Sequence, residues 1–334
     1  MNIENPRSIL ILRYSALGDV VLATSILEPL QKRFPNAQIE WVTDARYAPL
    51  LENLPSLQAV HKIHRRGMQE IEALDFALRD RFDFAIDLQN KIRSRWIAQT
   101  AAKNRLVFRR RTLSETCKAI LGRDEPLKNA HATELYARVL APLGIHSVGR
   151  MQVATSLPVD AIVAGQFENL QKPRVAIAPA ARWATKRWPT ERFAKLADAL
   201  AQKGAEIVLV GGPADEEILN DFKKQLRRPV GLDLSAVSLE YLAAALKQVQ
   251  LLIACDSGPV HLAQAVGTRV IALFGPTSDV RWGPLPPNRS LSLHLDCSPC
   301  SNHGSDECPL AHHRCMKDLA LEEVEKTARE FLCQ

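Results

Sequence analysis

Apolar and polar positions along this chain alternate between two periods. Ser8–Leu12 (SILIL) is an apolar run of strand length, and after it Val20, Val21, Ile26, Leu27, Leu30 and Phe34 recur at helical spacing. The Pro35-Asn36 pair ends that helix, and Gln38–Thr43 (QIEWVT) reads as the next strand. Phe82–Gln89 (FDFAIDLQ) is another, with Asp87 towards its C-terminal end. Short apolar strands separated by helical segments predict a parallel sheet with helices on both faces.

The pattern restarts after Pro173. Arg174–Pro179 is a strand, and the next helix runs from an N-cap at Thr190 to a C′ glycine at Gly204. Glu206–Gly212 is a strand, followed by a helix that opens with acidic residues, as its dipole prefers. Ser238 caps a further helix. LLIACDSG and RVIALFGPT are strands running into loops, with the helix VHLAQAVG between them. Residues 1–155 therefore read as one doubly wound domain and 173–318 as a second, with 156–172 as a linker that lacks a clear core period. Such sheets bind ligands at the carboxyl ends of their strands, so two in tandem predict a cleft lined by those ends.

With 46% hydrophobic and 24% charged residues, the 334-residue composition excludes disordered, collagenous and disulfide-scaffold classes. No run of about 18 apolar residues occurs, so no membrane-spanning helix is expected. The N-terminal apolar run follows an acidic, proline-containing lead and reads as a first strand, not a signal peptide; a cytoplasmic protein is the expectation. The net charge of +6 is concentrated, because residues 81–111 hold nine cations against Asp83 and Asp87. That field suits an anionic partner, whether nucleic acid, an anionic lipid surface or a phosphorylated substrate, unless it is only a solvated face. Few aromatics accompany it and no recognition motif is present, so nucleic acid is not the expected partner.

The candidate chemistry lies in the loops. Asp19 follows Gly18 at the start of the first helix, where a carboxylate either takes a proton from a substrate hydroxyl or simply caps the helix. Gly18 allows a tight turn there. The loop from Ala180 to Pro189 carries Arg182, Lys186 and Arg187 between a strand and a helix, a candidate anion site. Asp256-Ser257-Gly258-Pro259-Val260-His261 ends a strand and opens a helix whose amides suit a phosphate, with His261 either in the site or a buried histidine. Thr277 ends the neighbouring strand, and Glu216 or Glu217 stands where a carboxylate can hold a ribose hydroxyl. Dinucleotide, Walker and HEXXH motifs are absent. Cys297, Cys300, Cys308 and Cys315 are spaced compatibly with a structural zinc site, with reduced thiols in an irregular loop, or with redox pairing.

Four motifs together resemble glycosyltransferase family 9, the bacterial ADP-heptose:lipopolysaccharide heptosyltransferases. They are R-x-S-A-L-G-D-V-V (Arg13 to Val21), K-R-W-P (Lys186 to Pro189), D-S-G-P-V-H-L (Asp256 to Leu262) and F-G-P-T (Phe274 to Thr277), in the family's order. The resemblance implies a GT-B fold of two Rossmann-like domains, with the C-terminal helix 319–334 crossing back to the first. It implies a cytoplasmic enzyme, peripheral on the inner membrane, that moves a heptose from ADP-heptose to the inner core of a lipid A-linked acceptor on an anionic membrane surface. The alternative is a related transferase using another nucleotide sugar or glycan. Asp19 is implied as the general base; Lys186, Arg182, Glu216, Asp256, Ser257, Gly258, His261 and Thr277 as donor-binding; Arg13, Ser15, Gly18, Gln89, Arg93 and Arg109 as acceptor-binding. An inverting transfer needs one base and no covalent intermediate. A lysine and a helix N-terminus suffice for the leaving pyrophosphate, so no cofactor is expected in catalysis.

Overall fold

The computed structural model describes residues 5–64, 68–109 and 130–333. The chain divides into two units, Met1–Ala154 and Thr155–Gln334. In the first, β1 (Ser8–Leu12), β2 (Gln38–Asp44), β3 (Ala59–Ile63), β4 (Phe82–Asp87) and β5 (Ala102–Val107) form a parallel sheet ordered β3-β2-β1-β4-β5. The order reverses between β1 and β4, which pair with Leu12 opposite Asp87. Ile9–Leu12 are fully buried, as a central strand covered on both faces requires. Leu10 and Leu12 join Ile97, Ala98 and Ala101 of the Ile92–Ala101 helix in one core.

This topology divides the basic stretch. Arg81 lies at the amino end of β4, where it pairs with Glu40 at 3.3 Å, whereas Lys91, Arg93, Arg95 and Arg109 follow the carboxyl ends of β4 and β5. Lys103 and Arg105 are exposed on the edge strand β5, where charge discourages pairing with another sheet. Arg110 and Arg111 lie outside the described residues. The single cationic field read from the sequence is thus spread over both ends of a strand.

The second unit repeats the design. β6 (Arg174–Ala178), β7 (Glu206–Val210), β8 (Leu232–Leu234), β9 (Leu251–Cys255), β10 (Arg269–Leu273) and β11 (Arg289–Leu291) form a parallel sheet ordered β11-β10-β9-β6-β7-β8. The reversal falls between β6 and β9, and all residues of both strands are buried. The doubly wound parallel sheets of the GT-B class are both present.

Three sequence expectations are corrected here. The segment expected as a linker contains a helix, Leu157–Phe167, which belongs to the second unit and packs on the Leu239–Leu246 helix. Pro158 is tolerated because it lies in the first turn, and Val163 and Phe167 are buried. The C-terminal helix Leu321–Leu332 packs on β9, β10 and the Thr190–Gln202 helix of its own unit, with Val324, Ala328 and Phe331 in that core. Its apolar face is used where it is. The helix starting at Thr190 has Pro189, not Thr190, at the cap position, while Gly204 takes the expected positive φ of +90° after its end.

Candidate functional site

In both units most of the candidate residues lie in loops that leave the two strands flanking the reversal point, while Arg109, Glu216 and Thr277 follow β5, β7 and β10. At the reversal point neighbouring connections run to opposite faces of the sheet and leave a crevice. In the first unit, Arg13–Gly18 follow β1 and Leu88–Lys91 follow β4. Asp87 is fully buried at the end of β4 and accepts from the amides of Gln89 (3.0 Å) and Asn90 (2.8 Å) and from Ser94 Oγ (3.0 Å). Burial pushes its carboxyl above the ordinary range even against these donors. Its role is to fold the turn that presents Gln89. Gln89 Oε1 in turn accepts from the amides of Tyr14 (2.9 Å) and Ser15 (3.3 Å), tying the two loops together.

Asp19 lies in the Leu17–Ala23 helix as its third residue, with Ala16 at the N-cap; it is not a plain cap. Its Oδ1 forms an ion pair with Arg13 Nη2 and accepts from the Tyr136 hydroxyl, each at 2.7 Å. Its Oδ2 accepts from the Ala16 amide at 3.3 Å. Arg13 is anchored by its other arm, Nη1 donating to the Leu88 carbonyl at 2.6 Å. The Asp19 side chain retains 24% exposure against 10% for Arg13. A held but accessible carboxylate is what a general base needs. Tyr136 was not foreseen, since it comes from a helix 117 residues away with no motif around it.

Beside this carboxylate loop is a cavity of about 360 Å³ lined by Tyr14, Ser15, Gln89, Lys91, Ile92 and Arg93, with Asp44, Ile63 and His64 also at its wall. It unites Ser15, Gln89 and Arg93 from the expected acceptor set. Gly18 sits in the first turn of the Asp19 helix, and Arg109 is exposed beyond β5. The Tyr14 hydroxyl is buried without a partner among the described residues, and burial raises its pKa.

In the second unit, Lys186 follows β6 and Asp256 follows β9. Lys186 Nζ lies 2.6 Å from Asp256 Oδ2, with side chains only 14% and 8% exposed. Thr277, after β10, donates its hydroxyl to the same oxygen at 2.6 Å. Gly258 opens the Gly258–Ala265 helix, and His261 is buried on it. Ser257 stands at the cap, but its hydroxyl donates to the Cys255 carbonyl at 2.9 Å and so is turned to its own strand. Arg182 is exposed and lies over the Trp183 ring at 5.2 Å. Glu216 and Glu217 are both exposed in the first turn of the helix after β7. Arg187 is occupied holding the loop, its Nε donating to the Ala181 carbonyl at 2.8 Å.

The lysine loop is braced from two sides. Trp188 is buried edge-on to Phe193, with centroids 4.9 Å apart, and its indole donates to the Leu319 carbonyl at 3.0 Å. Its amide reaches Cys255 Sγ at 3.3 Å; burial pushes that thiol up to about 12, so it is inert. The cysteine-rich loop forms the other brace, a contact the sequence did not reveal. Thr185 exchanges hydrogen bonds with Ser305, its hydroxyl donating to the Ser305 carbonyl (2.7 Å) and accepting from the Ser305 amide (2.9 Å). His313 Nε2 lies 2.7 Å from the Thr185 carbonyl. Gly304, at φ +91°, packs so closely that a Cβ there would lie 2.8 Å from Trp183 Cβ and 3.1 Å from Lys186 Cε.

Among the described residues no group of three or more His, Cys, Asp or Glu side chains converges to hold a metal ion. Cys297, Cys300 and Cys308 lie near enough to Cys315 to act on its thiol electrostatically, and Cys297 Sγ lies 4.0 Å from His312 Nε2. For Cys308, the amides of residues 310–313 outweigh the effect of burial and hold the thiol pKa below its usual value. Cys315 is buried and its thiol is raised to about 11 by that burial. Cys117 lies outside the described residues.

A carboxylate at one reversal point, and a lysine beside a helix N-terminus at another, stand where doubly wound sheets bind their ligands. The chain matches glycosyltransferase family 9 (heptosyltransferase) over residues 71–311 and belongs to that family. It is therefore a glycosyltransferase. It is similar to lipopolysaccharide heptosyltransferase 3 of Escherichia coli, 28% identical over 80% of this chain and 83% of that protein. Lipopolysaccharide core heptosyltransferase OpsX of Haemophilus influenzae is 24% identical over 84% and 82%. Among solved structures, a glycosyl transferase family 9 protein from Veillonella parvula superposes with a TM-score of 0.84 at 23% identity, covering 98% of this chain and 97% of that one. The fold is thus that of the family.

Proposed function

We propose that this enzyme transfers a heptose from ADP-heptose to the inner core of lipopolysaccharide, with inversion and without a metal ion. The observation that carries the reading is Asp19, fixed by Arg13 and Tyr136 yet accessible, in the loop after β1. The names of the curated relatives supply the sugar and the acceptor class. In this mechanism Asp19 takes the proton of the acceptor hydroxyl as its oxygen bonds to the anomeric carbon. The anomeric C–O bond breaks towards ADP, which leaves from the opposite face. Lys186 and the amides opening the Gly258–Ala265 helix stabilise the charge that collects on the pyrophosphate. Lys186 exchanges Asp256 for phosphate on binding, and Glu216 or Glu217 holds the ribose. The cavity at the loop after β1 takes the acceptor, its anionic groups meeting Lys91 and Arg93. The cysteine loop acts as a scaffold for Lys186.

The test is ADP release and product analysis with ADP-heptose and a series of truncated lipopolysaccharide acceptors, in excess EDTA. Transfer at an undiminished rate, with the anomeric configuration inverted, is expected. Loss of activity in EDTA that a divalent cation restores would refute the metal-free mechanism. Donor binding without transfer to any acceptor in the series would refute the acceptor assignment.

The same reading places the enzyme on an anionic leaflet, in the cytoplasm. Ile92 is 86% exposed between the exposed cations Lys91 and Arg93, at the rim of the acceptor cavity. An apolar tip flanked by cations suits a bilayer surface, at about 1 kcal/mol per basic residue. Arg93→Glu with Arg95→Glu should release the protein from phosphatidylglycerol vesicles in a flotation assay; unchanged flotation would remove this element.

A further inference from the structure

The geometry points to Tyr136 as the residue that positions the Asp19 carboxylate, and to Oδ2 as the oxygen that takes the acceptor proton. This rests on the reading of Asp19 as the base. The two carboxylate oxygens are not equivalent. Oδ1 is engaged by two side chains at 2.7 Å, the guanidinium of Arg13 in an ion pair and the phenol of Tyr136 as a hydrogen-bond donor. Oδ2 has, among the described residues, only the Ala16 amide at 3.3 Å, a long and weak contact.

Tyr136 is itself held. It is 3% exposed, the Arg13 guanidinium lies over its ring at 5.4 Å, and Phe108 packs against the ring at a centroid distance of 5.1 Å. An ion pair and a hydrogen bond reach this one oxygen from different elements, so the carboxylate is held by more than its own helix. A single arginine bond would leave rotation about the side chain. With Oδ1 engaged and Oδ2 holding one long amide contact, Oδ2 keeps a lone pair for the substrate. As the acceptor oxygen bonds to the anomeric carbon, its proton passes to Oδ2, and the electrons of the broken anomeric C–O bond leave with ADP. Neither Tyr136 nor Arg13 gains or loses a proton in the step. Tyr136 is a positioning residue, not a catalytic one.

The experiment compares steady-state kinetics of Tyr136→Phe and Asp19→Asn with the unaltered enzyme, varying donor and acceptor separately. Phenylalanine keeps the ring between Arg13 and Phe108, and thermal denaturation checks that the fold is retained. The expected result for Tyr136→Phe is a fall in kcat of about 10- to 100-fold, the effect of losing one hydrogen bond to a charged group and its alignment. Both KM values should stay within about 2-fold, because this bond serves the reacting geometry and not ground-state binding. A merely structural role would lower stability and disturb KM instead. Unchanged kcat in Tyr136→Phe beside an inactive Asp19→Asn overturns the positioning role and leaves the base standing. A raised acceptor KM with kcat unchanged also overturns it, making Tyr136 a binding residue. Full activity in Asp19→Asn overturns the base assignment itself.

Discussion

Asp19→Asn should lower kcat by about 10²- to 10⁴-fold, the usual worth of a positioned general base, with donor affinity unchanged. Donor affinity is the control because the lysine, the helix N-terminus and the threonine assigned to the donor all belong to the second unit. The asparagine is close to isosteric, and the local hydrogen bonds dictate its orientation. Tyr136 donates to Oδ1 and the Arg13 guanidinium pairs with it, against one long amide contact at Oδ2, so the asparagine amide places its own oxygen at Oδ1 and its NH₂ where Oδ2 was. That NH₂ can donate to an acceptor hydroxyl but cannot take its proton. The variant therefore retains a polar contact to the substrate and loses only the chemistry. The acceptor KM should accordingly move little. The stability cost should be about 1–2 kcal/mol, since the contacts at Oδ1 become weaker neutral ones and the Ala16 amide loses its long bond at Oδ2. Isothermal titration with ADP, single-turnover ADP release and thermal denaturation measure the three quantities. An Asn variant with more than about a tenth of the original kcat would remove Asp19 from the role.

Much of this arrangement is legible in the sequence, because it follows from where strands end. Ser8–Leu12 and Leu251–Cys255 are continuous apolar runs, each stopped by polar residues and a glycine, and both prove to be central strands at a reversal point. The loops after them were readable as sites for that reason. The partners of the site residues were less visible. Lys186 and Asp256 are 70 residues apart but leave adjacent strands, so an order of β9 beside β6 is enough to bring them together. Tyr136 has no such logic: its helix, Ala132–Ala137, is short, and its meeting with Asp19 depends on tertiary packing alone.

The misread segments have physical causes. Leu157–Phe167 carries apolar residues around its circumference, so no period marks it as a helix; only Val163 and Phe167 are buried. The C-terminal helix was recognisable by its amphipathic pattern, but a pattern does not name the surface it covers. The cationic stretch looked like one patch because charge was counted along the chain, whereas β4 carries Arg81 and Arg93 to opposite ends of the sheet. Distance in sequence hides the contact of the cysteine loop with the lysine loop. Thr185 and Ser305, 120 residues apart, join the two loops.

Lys186→Met should lower kcat/KM for the donor by about 10²- to 10³-fold, the range for removing one preorganised group that meets developing charge. A second effect accompanies it. Lys186 and Asp256 form a nearly buried pair, and removing one partner leaves the other charge with only the Thr277 hydroxyl at Oδ2. Breaking a buried pair costs up to about 3–5 kcal/mol, so a loss of activity in this variant alone could reflect a weakened unit. The double variant Lys186→Met with Asp256→Asn separates the two. The asparagine removes the stranded charge, and its carbonyl can still accept from Thr277. Thermal denaturation should show much of the lost stability returning in the double variant. Activity should not return, because no cation remains to meet the pyrophosphate as ADP departs. If activity recovers together with stability, Lys186 serves only to neutralise Asp256, and the charge of the leaving group must be met elsewhere, with the amides of the Gly258–Ala265 helix as the remaining source. If neither recovers, Asp256 has a role of its own beyond pairing with the lysine. The expected pattern, recovery of stability without recovery of rate, assigns the ion pair to the resting enzyme and the lysine to the transition state.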